Sequence, residues 1–430
     1  MAAQLQPDSS VLGAKRSRSS DQSPAISTSS LPLEREDDAR LPLFLQLSSE
    51  EIDAKFEDIQ IQQIQRIDQG KKASNNDHPW TVKFRKEHHA YNRYHDIWPW
   101  EQKRIKLKVP AGSLNYINAS PIELHSTTDG SERKYIATQG PKQNNVDHFW
   151  QMVWQETESP SVVVMLTQLT ESMKEKCYQY FPEDADSQVI SVKFIDDTNQ
   201  LHQGSVKVSS IESNEECRTT IRKITLIYNG SEKTIWHLFF QAWPDFGIPN
   251  SSDRTALLNL IRLSREKNKG WSNPRIVHCS AGVGRSGTFI ALEHLIDELD
   301  QGHFDDLTTS DQDPIFDTVN RLREQRMTMV QSESQYHFLY DSLLNAFQQR
   351  LRTKDGRSTP LPQHISSEKL VHGEPSPKVA RLSRGLLNLF SEIRSRSSSR
   401  KRETRDGISS GGIPTKEVTP SSPLPQGKTP

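Results

Sequence analysis

A cysteine, an arginine six positions later, and small or glycine residues at nearly every place between them make up VHCSAGVGRSGT, residues 277–288. Pro274-Arg275-Ile276-Val277 reads as a short buried strand, and after Arg285 the residues Phe289, Leu292, Ile296 and Leu299 fall at helical spacing. The stretch is therefore a strand, a tight loop and a helix N-terminus. A loop whose N–H groups all turn inward needs residues without bulky Cβ branches, and Ser280-Ala281-Gly282-Val283-Gly284 nearly meets that demand, forming a nest for an anion. The helix adds its positive dipole end, and Arg285 offers a planar fork to two oxygens of the same tetrahedral anion. A free thiol titrates near ~8.5 and falls to roughly 3.5–7.5 at such a helix start beside cations, so Cys279 is expected to be a thiolate at neutral pH, aimed at phosphorus. A lone cysteine is more often buried and inert. The coincidence of Cys279, glycines, Arg285 and Ser286 at a strand-helix junction speaks against that. A nucleotide P-loop is excluded, because neither the G-x-x-x-x-G-K-[ST] spacing nor its lysine is present.

Hydrolysing a phosphate ester through a phosphocysteine needs a proton for the leaving group and then an activated water, and one carboxylic acid can serve both steps in turn. AWPDFGIP (242–249) offers Asp245 on a Pro- and Gly-bounded loop anchored by Trp243, suited to a flap that closes over ligand. Taken alone, Trp-Pro-Asp is more often an ordinary turn. The downstream cysteine motif favours Asp245 as general acid and then general base.

HCSAGVGRSG resembles, residue for residue, the signature of the cysteine-dependent protein tyrosine phosphatases, and the likeness over most of residues 85–350 is to the classical non-receptor, fungal type. AWPDFGIP is similar to that family's mobile acid loop. YNRYHDI (91–97) is similar to its phosphotyrosine-recognition loop, which implies that Tyr94 walls a slot and stacks on the substrate ring while Asp96 accepts from the substrate backbone. A slot of that depth keeps phosphoserine from reaching Cys279. Tyr91 and His95 stand where the family usually has basic residues. Gln331 and Gln335 in VQSESQYHF resemble the pair whose first member positions the hydrolytic water, and Phe246 joins Gln335 at the substrate. Glu171 and Lys176 in TESMKEKC match positions that orient Arg285 and meet the acid loop, although a surface charge run is nearly as good a reading. His278 is expected to tune the nucleophile through hydrogen bonds, and Ser286 to donate to the departing Cys279 thiolate. NYINAS (115–120) and YIATQGP (135–141) also match, as scaffolding. Backbone N–H groups and Arg285 meet the transition-state charge, so neither metal nor cofactor is expected.

The elements that must position these groups follow from patterning. In a chain of 430 residues, one large domain with tails is expected. Ser48-x-x-Glu51 has the form of a capping box ahead of Ile52, Phe56, Ile59 and Ile67. SVVVML (161–166) and VISVKFI (189–195) predict strands, and Asn229-Gly230 lies near the turn of a hairpin in ITLIYNGSEKTIWHLFF (224–240). After Pro249 helices take over: one capped by Asp253 and carrying Leu257, Leu260 and Ile261; one opened by Asp313-Pro314 with Ile315, Val319 and Leu322; and a last one with Tyr340, Leu343, Leu344 and Phe347. The fold class is α/β, a single tyrosine phosphatase-like catalytic domain over 48–351 with a central twisted mixed sheet flanked by helices. Ser- and Pro-rich tails over 1–47 and 352–430 are expected to be disordered.

Lys+Arg 54 against Asp+Glu 55 argues against a dedicated nucleic-acid binder, yet from Arg352 onward 15 basic residues face 7 acidic ones. No run approaches the ~20 apolar residues needed to span a bilayer, and the first residues hold no apolar signal segment. Cys177, Cys217 and Cys279 fit neither zinc spacing nor a disulfide framework, which points to a reducing compartment. A monomeric cytoplasmic protein is expected. Lys15-Arg16 and Arg400-Lys401-Arg402 are candidate nuclear-import patches. Within 378–390, Lys378, Arg381 and Arg384 followed by Leu387-Asn388-Leu389 resemble docking peptides for mitogen-activated protein kinases; a solvated basic tail fits the same residues. Two rival functions stay open: a binding module that holds phosphotyrosine proteins without turnover, and a phosphoinositide phosphatase. Intact Cys279, Arg285, Asp245 and Gln331 oppose the first, and the absence of lysine from the 280–284 loop opposes the second.

Overall fold

The computed structural model describes residues 40–73, 77–186, 189–244 and 247–356. An eight-stranded mixed sheet in the order β1-β2-β10-β3-β9-β8-β7-β6 organises them. Its strands are β1 (Ala119–His125), β2 (Glu132–Thr138), β3 (Ser161–Met165), β6 (Ile190–Ile195), β7 (Leu201–Asn214), β8 (Thr219–Tyr228), β9 (Ser231–Phe240) and β10 (Arg275–His278); β4 (Thr170–Glu171) and β5 (Lys174–Glu175) form a separate small hairpin. β10, the strand that delivers Cys279, lies between β2 and β3 and is parallel to both. The strongest hairpin signal is met in full: Asn229 and Gly230 both adopt positive φ, and Tyr228 pairs with Ser231 across the turn.

Alternation explains how one apolar run serves two cores. In β3, Val162 and Val164 join the core that also receives Val277, while Val163 and Met165 face the opposite core with Ile276. The first core is covered by α1 (Ser49–Lys72), α3 (Ser251–Lys267), α4 (Gly284–Asp300), α5 (Pro314–Gln325) and α6 (Glu333–Lys354); the second is covered by α2 (Val146–Glu156) through Phe149, Trp150, Met152 and Val153.

The helix starts obey capping chemistry. Ser48 and Glu51 form the expected reciprocal box on α1, and their bonds hold the Glu51 carboxyl below its ordinary value. Asp313 accepts from the N–H groups of Ile315 and Phe316 with Pro314 at the first position of α5. Asp253 is not the cap of α3. Asn250 takes that place by accepting from Asp253 N–H at 3.0 Å, while the Asp253 carboxylate pairs with Arg218. The packed chain also begins before residue 48, because Leu41, Phe44 and Leu45 are buried and Phe44 meets Phe304 edge-on at 5.6 Å. At the other end α6 continues three residues past 351. The tail features outside the fold, including 378–390 and the basic import patches, lie outside the described residues.

Candidate active site

Six consecutive carbonyls, from Cys279 to Gly284, are drawn outward by partners, and this shapes the loop. Cys279 O meets His278 Nδ1 at 3.2 Å, Ser280 O accepts from Gly140 N–H, and Ala281 O and Gly282 O both accept from the Arg326 guanidinium, at 3.2 and 2.8 Å. Val283 O accepts from Val330 and Gly287 N–H, and Gly284 O accepts from the Thr288 hydroxyl. With the oxygens committed outside, the peptide planes turn their N–H groups to the inside, as an anion nest requires. Cys279 sits on its floor, 4% exposed, and Gly282 N–H donates to its sulfur at 3.2 Å. Gly282 is needed for two reasons: its φ is +71°, and a Cβ there would lie 2.0 Å from Thr138 O.

Arg285, one residue into α4, is fixed as a fork. Its two terminal nitrogens reach both Glu171 carboxylate oxygens, at 2.5 and 3.0 Å, and also Leu166 O at 3.1 Å and Pro244 O at 3.3 Å. Glu171 itself accepts from Thr167 Oγ1 and Gln168 N–H and lies 3.8 Å from Lys176 Nζ. The charge run TESMKEKC is thus built into the site, with Glu171 and Lys176 both buried.

His278 is held neutral, its pKa brought down to about 4 by burial. One proton arrangement satisfies its neighbours. Nδ1–H donates to Cys279 O, Nε2 accepts from the Tyr180 hydroxyl at 2.6 Å, and the Tyr180 oxygen accepts from His237 Nε2–H at 2.9 Å. The imidazole therefore points its proton at the loop backbone rather than at a reacting group.

Tyr94 reaches the cradle, its hydroxyl donating to Ser280 Oγ at 2.8 Å, while Ser280 Oγ donates to Lys176 O at 2.9 Å. The next residues of that loop, His95 and Asp96, stay nearer solvent, with side chains 71% and 26% exposed. Trp243 is buried and donates to Gly247 O at 3.1 Å, tying together the two ends of the stretch that carries the expected acid. Asp245 and Phe246 themselves lie outside the described residues.

Two expected contacts differ. Ser286 Oγ is buried without a hydrogen-bond partner among the described residues, so the donor to sulfur here is the Gly282 amide rather than this hydroxyl. Gln335 spends its carbonyl oxygen on the N–H groups of Gln331 and Ser332, closing the capping box of α6, and its amide lies where a Cβ on Gly284 would meet it at 3.0 Å. Gln331 is exposed beside the same glycine.

Arg326 and Arg93 escaped sequence reading. Arg326 is fully buried, its pKa lowered to about 10 by burial, and it anchors the loop carbonyls to Asn118 and Ser120. Arg93 turns away from solvent to bind Gly140 O, Pro141 O and Glu175, fastening the Tyr94 loop to the edge of the cradle. The only sequence signal was Arg93's membership of YNRYHDI, a segment already marked for other residues; Arg326 lay in no marked segment.

The cradle can hold a tetrahedral dianion against a sulfur nucleophile, with a planar cation beside it. No group of three or more His, Cys, Asp or Glu among the described residues is placed to hold a metal. No helix of the described residues is long and apolar enough to cross a membrane.

Residues 88–345 match the family described as Protein-tyrosine phosphatase. Tyrosine-protein phosphatase 2 of Schizosaccharomyces pombe is 37% identical over 254 residues, 58% of this chain; the chain spans only about a third (33%) of that relative's length. Tyrosine-protein phosphatase 1 of Saccharomyces cerevisiae is 34% identical over 326 residues, covering 70% of this chain and 96% of the yeast protein. The crystal structure of the catalytic domain of human protein tyrosine phosphatase non-receptor type 18 superposes with a TM-score of 0.56 at 26% identity, over 69% of this chain and 96% of that one. With its thiol, fork and cradle set between β10 and α4, the chain belongs to the protein-tyrosine phosphatase family.

Proposed function

We propose that this chain hydrolyses phosphotyrosine in proteins through a cysteinyl-phosphate intermediate. The observation that carries the reading is the Arg285 fork, locked by Glu171 and set over an amide-lined loop whose floor is Cys279. Cys279 attacks phosphorus, Arg285 and the loop amides of 280–284 hold the equatorial oxygens, and Asp245 protonates the departing phenol. Asp245 then takes a proton from the water that Gln331 positions, the water oxygen bonds to phosphorus as the S–P bond breaks, and inorganic phosphate and the Cys279 thiolate are released. Tyr94 walls the slot, Asp96, Phe246 and Gln335 hold the substrate, Ser286 turns its hydroxyl to the departing Cys279 thiolate, and Lys176 and Trp243 serve the acid loop. His278 fixes the Cys279 carbonyl and stays out of proton transfer.

Basic residues and alternating leucines in 378–390 support docking to a mitogen-activated protein kinase, three cysteines without zinc or disulfide spacing support a monomeric enzyme of a reducing, cytoplasmic compartment, and Lys15-Arg16 and Arg400-Lys401-Arg402 support entry to the nucleus. A rate comparison tests the central reading. A tyrosine-phosphorylated peptide is expected to be hydrolysed at least about a hundredfold faster, in kcat/KM, than the same peptide carrying phosphoserine, because a short side chain leaves phosphorus above the sulfur. It should also outpace a phosphoinositide vesicle. Faster turnover of the lipid would assign the site to inositol phosphates instead.

A further inference from the structure

The β4–β5 hairpin is the one element of the site whose tip has no part in the chemistry proposed above. Its base is fastened on three sides. Glu171 grips Arg285, Lys176 O accepts from Ser280 of the cradle, and Glu175 takes Arg93, which carries the Tyr94 loop, through both its backbone and its carboxylate oxygens. The tip cannot swing away without breaking the phosphate clamp or the slot wall. The tip is Ser172-Met173, with φ of +47° and +60° at residues other than glycine, and Met173 is 98% exposed.

Two local costs meet there. A two-residue turn with both centres left-handed is made most cheaply by Asn-Gly, and a long thioether is the wrong side chain to leave in water. Local rules broken together at the edge of a site mark a functional surface. Methionine suits that use, since its unbranched, polarizable chain adapts to differently shaped apolar partners. Arg93 beside the hairpin is turned inward, 7% exposed, and spends its guanidinium on Gly140, Pro141 and Glu175, and Lys142 Nζ donates to Ala90 O at 2.6 Å, whereas Lys174 and Glu175, which follow the tip, are exposed and frame Met173 with one charge of each sign.

We infer that Met173 is a specificity-determining residue, covering an apolar side chain next to the phosphotyrosine of a bound peptide, so that substrates with leucine, isoleucine or methionine flanks are favoured over polar ones. This rests on the phosphotyrosine reading of the site. A peptide lying across the slot must pass the fixed hairpin, and the contact removes apolar surface of both partners from water.

The test uses the full chain and a set of phosphotyrosyl peptides that differ at one position at a time, on either side of the phosphotyrosine, with Leu, Ser or Asp placed there. The wild-type enzyme is expected to prefer Leu over Ser by about tenfold in kcat/KM at one or more positions. Met173→Ser should bring that ratio to about one, and Met173→Leu should restore most of it. Because the ratio is taken within one enzyme, a general loss of active protein cancels. No preference in the wild type, or an unchanged ratio in Met173→Ser, overturns the inference while leaving the phosphatase reading intact. Failure to hydrolyse any of the peptides would overturn both.

Discussion

Replacing Cys279 by serine is expected to abolish turnover of an aryl phosphate, with kcat down on the order of 10⁴-fold or more, while phosphopeptide binding persists. The reasons are separable in the structure. A serine hydroxyl ionises far less readily than a thiol, and oxygen on the floor of the loop supplies no comparable nucleophile. The cradle, by contrast, owes little to sulfur. Its six carbonyls are held by His278, Gly140, Arg326, Val330, Gly287 and Thr288 through hydrogen bonds that do not involve Sγ, and the Arg285 fork is set by Glu171. Steady-state hydrolysis of an aryl phosphate and calorimetric titration with a phosphotyrosyl peptide check the two halves. Retained turnover would remove Cys279 from the reaction. Lost binding would show that the loop does not keep its shape without the thiol.

The second large effect is expected from Arg285→Lys. Charge is conserved, so a simple attraction between cation and phosphate would be only mildly weakened. Geometry is not conserved: the guanidinium answers Glu171 with two parallel bonds and still reaches Leu166 O and Pro244 O, which a single ammonium cannot reproduce. Pro244 immediately precedes Asp245, so the same fork joins phosphate binding to the strand of chain that delivers the acid. We expect kcat to fall by roughly 10²–10³, the usual worth of a preorganised donor at developing charge, together with a weaker affinity for phosphate. Measured kcat close to wild type, with only KM raised, would reduce Arg285 to a ground-state binding residue.

The parts of this site that were legible in the sequence are those encoded locally. Strand, loop and helix around Cys279 are contiguous, and a hairpin turn such as Asn229-Gly230 announces itself in two residues. Groups that act across the chain were not legible. Arg326 lies 44 residues from the Gly282 carbonyl it holds, and composition alone would put an arginine on the surface. Gln335 was seen as a site residue because it follows Gln331, yet its amide closes a helix cap, a choice that depends on where α6 starts. Ser286 was expected to donate to the departing sulfur, but in this state its hydroxyl is buried without a hydrogen-bond partner among the described residues.

Misses in the fold have similar causes. β7 went unseen because LHQGSVKVSSIESN buries only Gly204, Val206 and Val208, too few for a period of two to stand out over 14 residues. Its place in the sheet is set by its neighbours β6 and β8 rather than by its own hydrophobicity. Asn250 displaced Asp253 as the cap of α3 because both residue types cap well and the deciding factor was tertiary: Arg218, from the turn before β8, claims the aspartate. The burial of Leu41, Phe44 and Leu45 was hidden by the polar composition of the forty residues ahead of them.

The covalent step is the heart of the proposal, and rapid acid quenching addresses it directly. Full-length protein mixed with a phosphotyrosyl peptide and quenched within the first turnover is digested, and the fragment containing Cys279 is weighed. One added phosphoryl group on that fragment, appearing and decaying with turnover and absent from Cys279→Ser, is the result expected. Phosphotyrosine hydrolysis at full rate with no phosphoryl group ever found on Cys279 would contradict it.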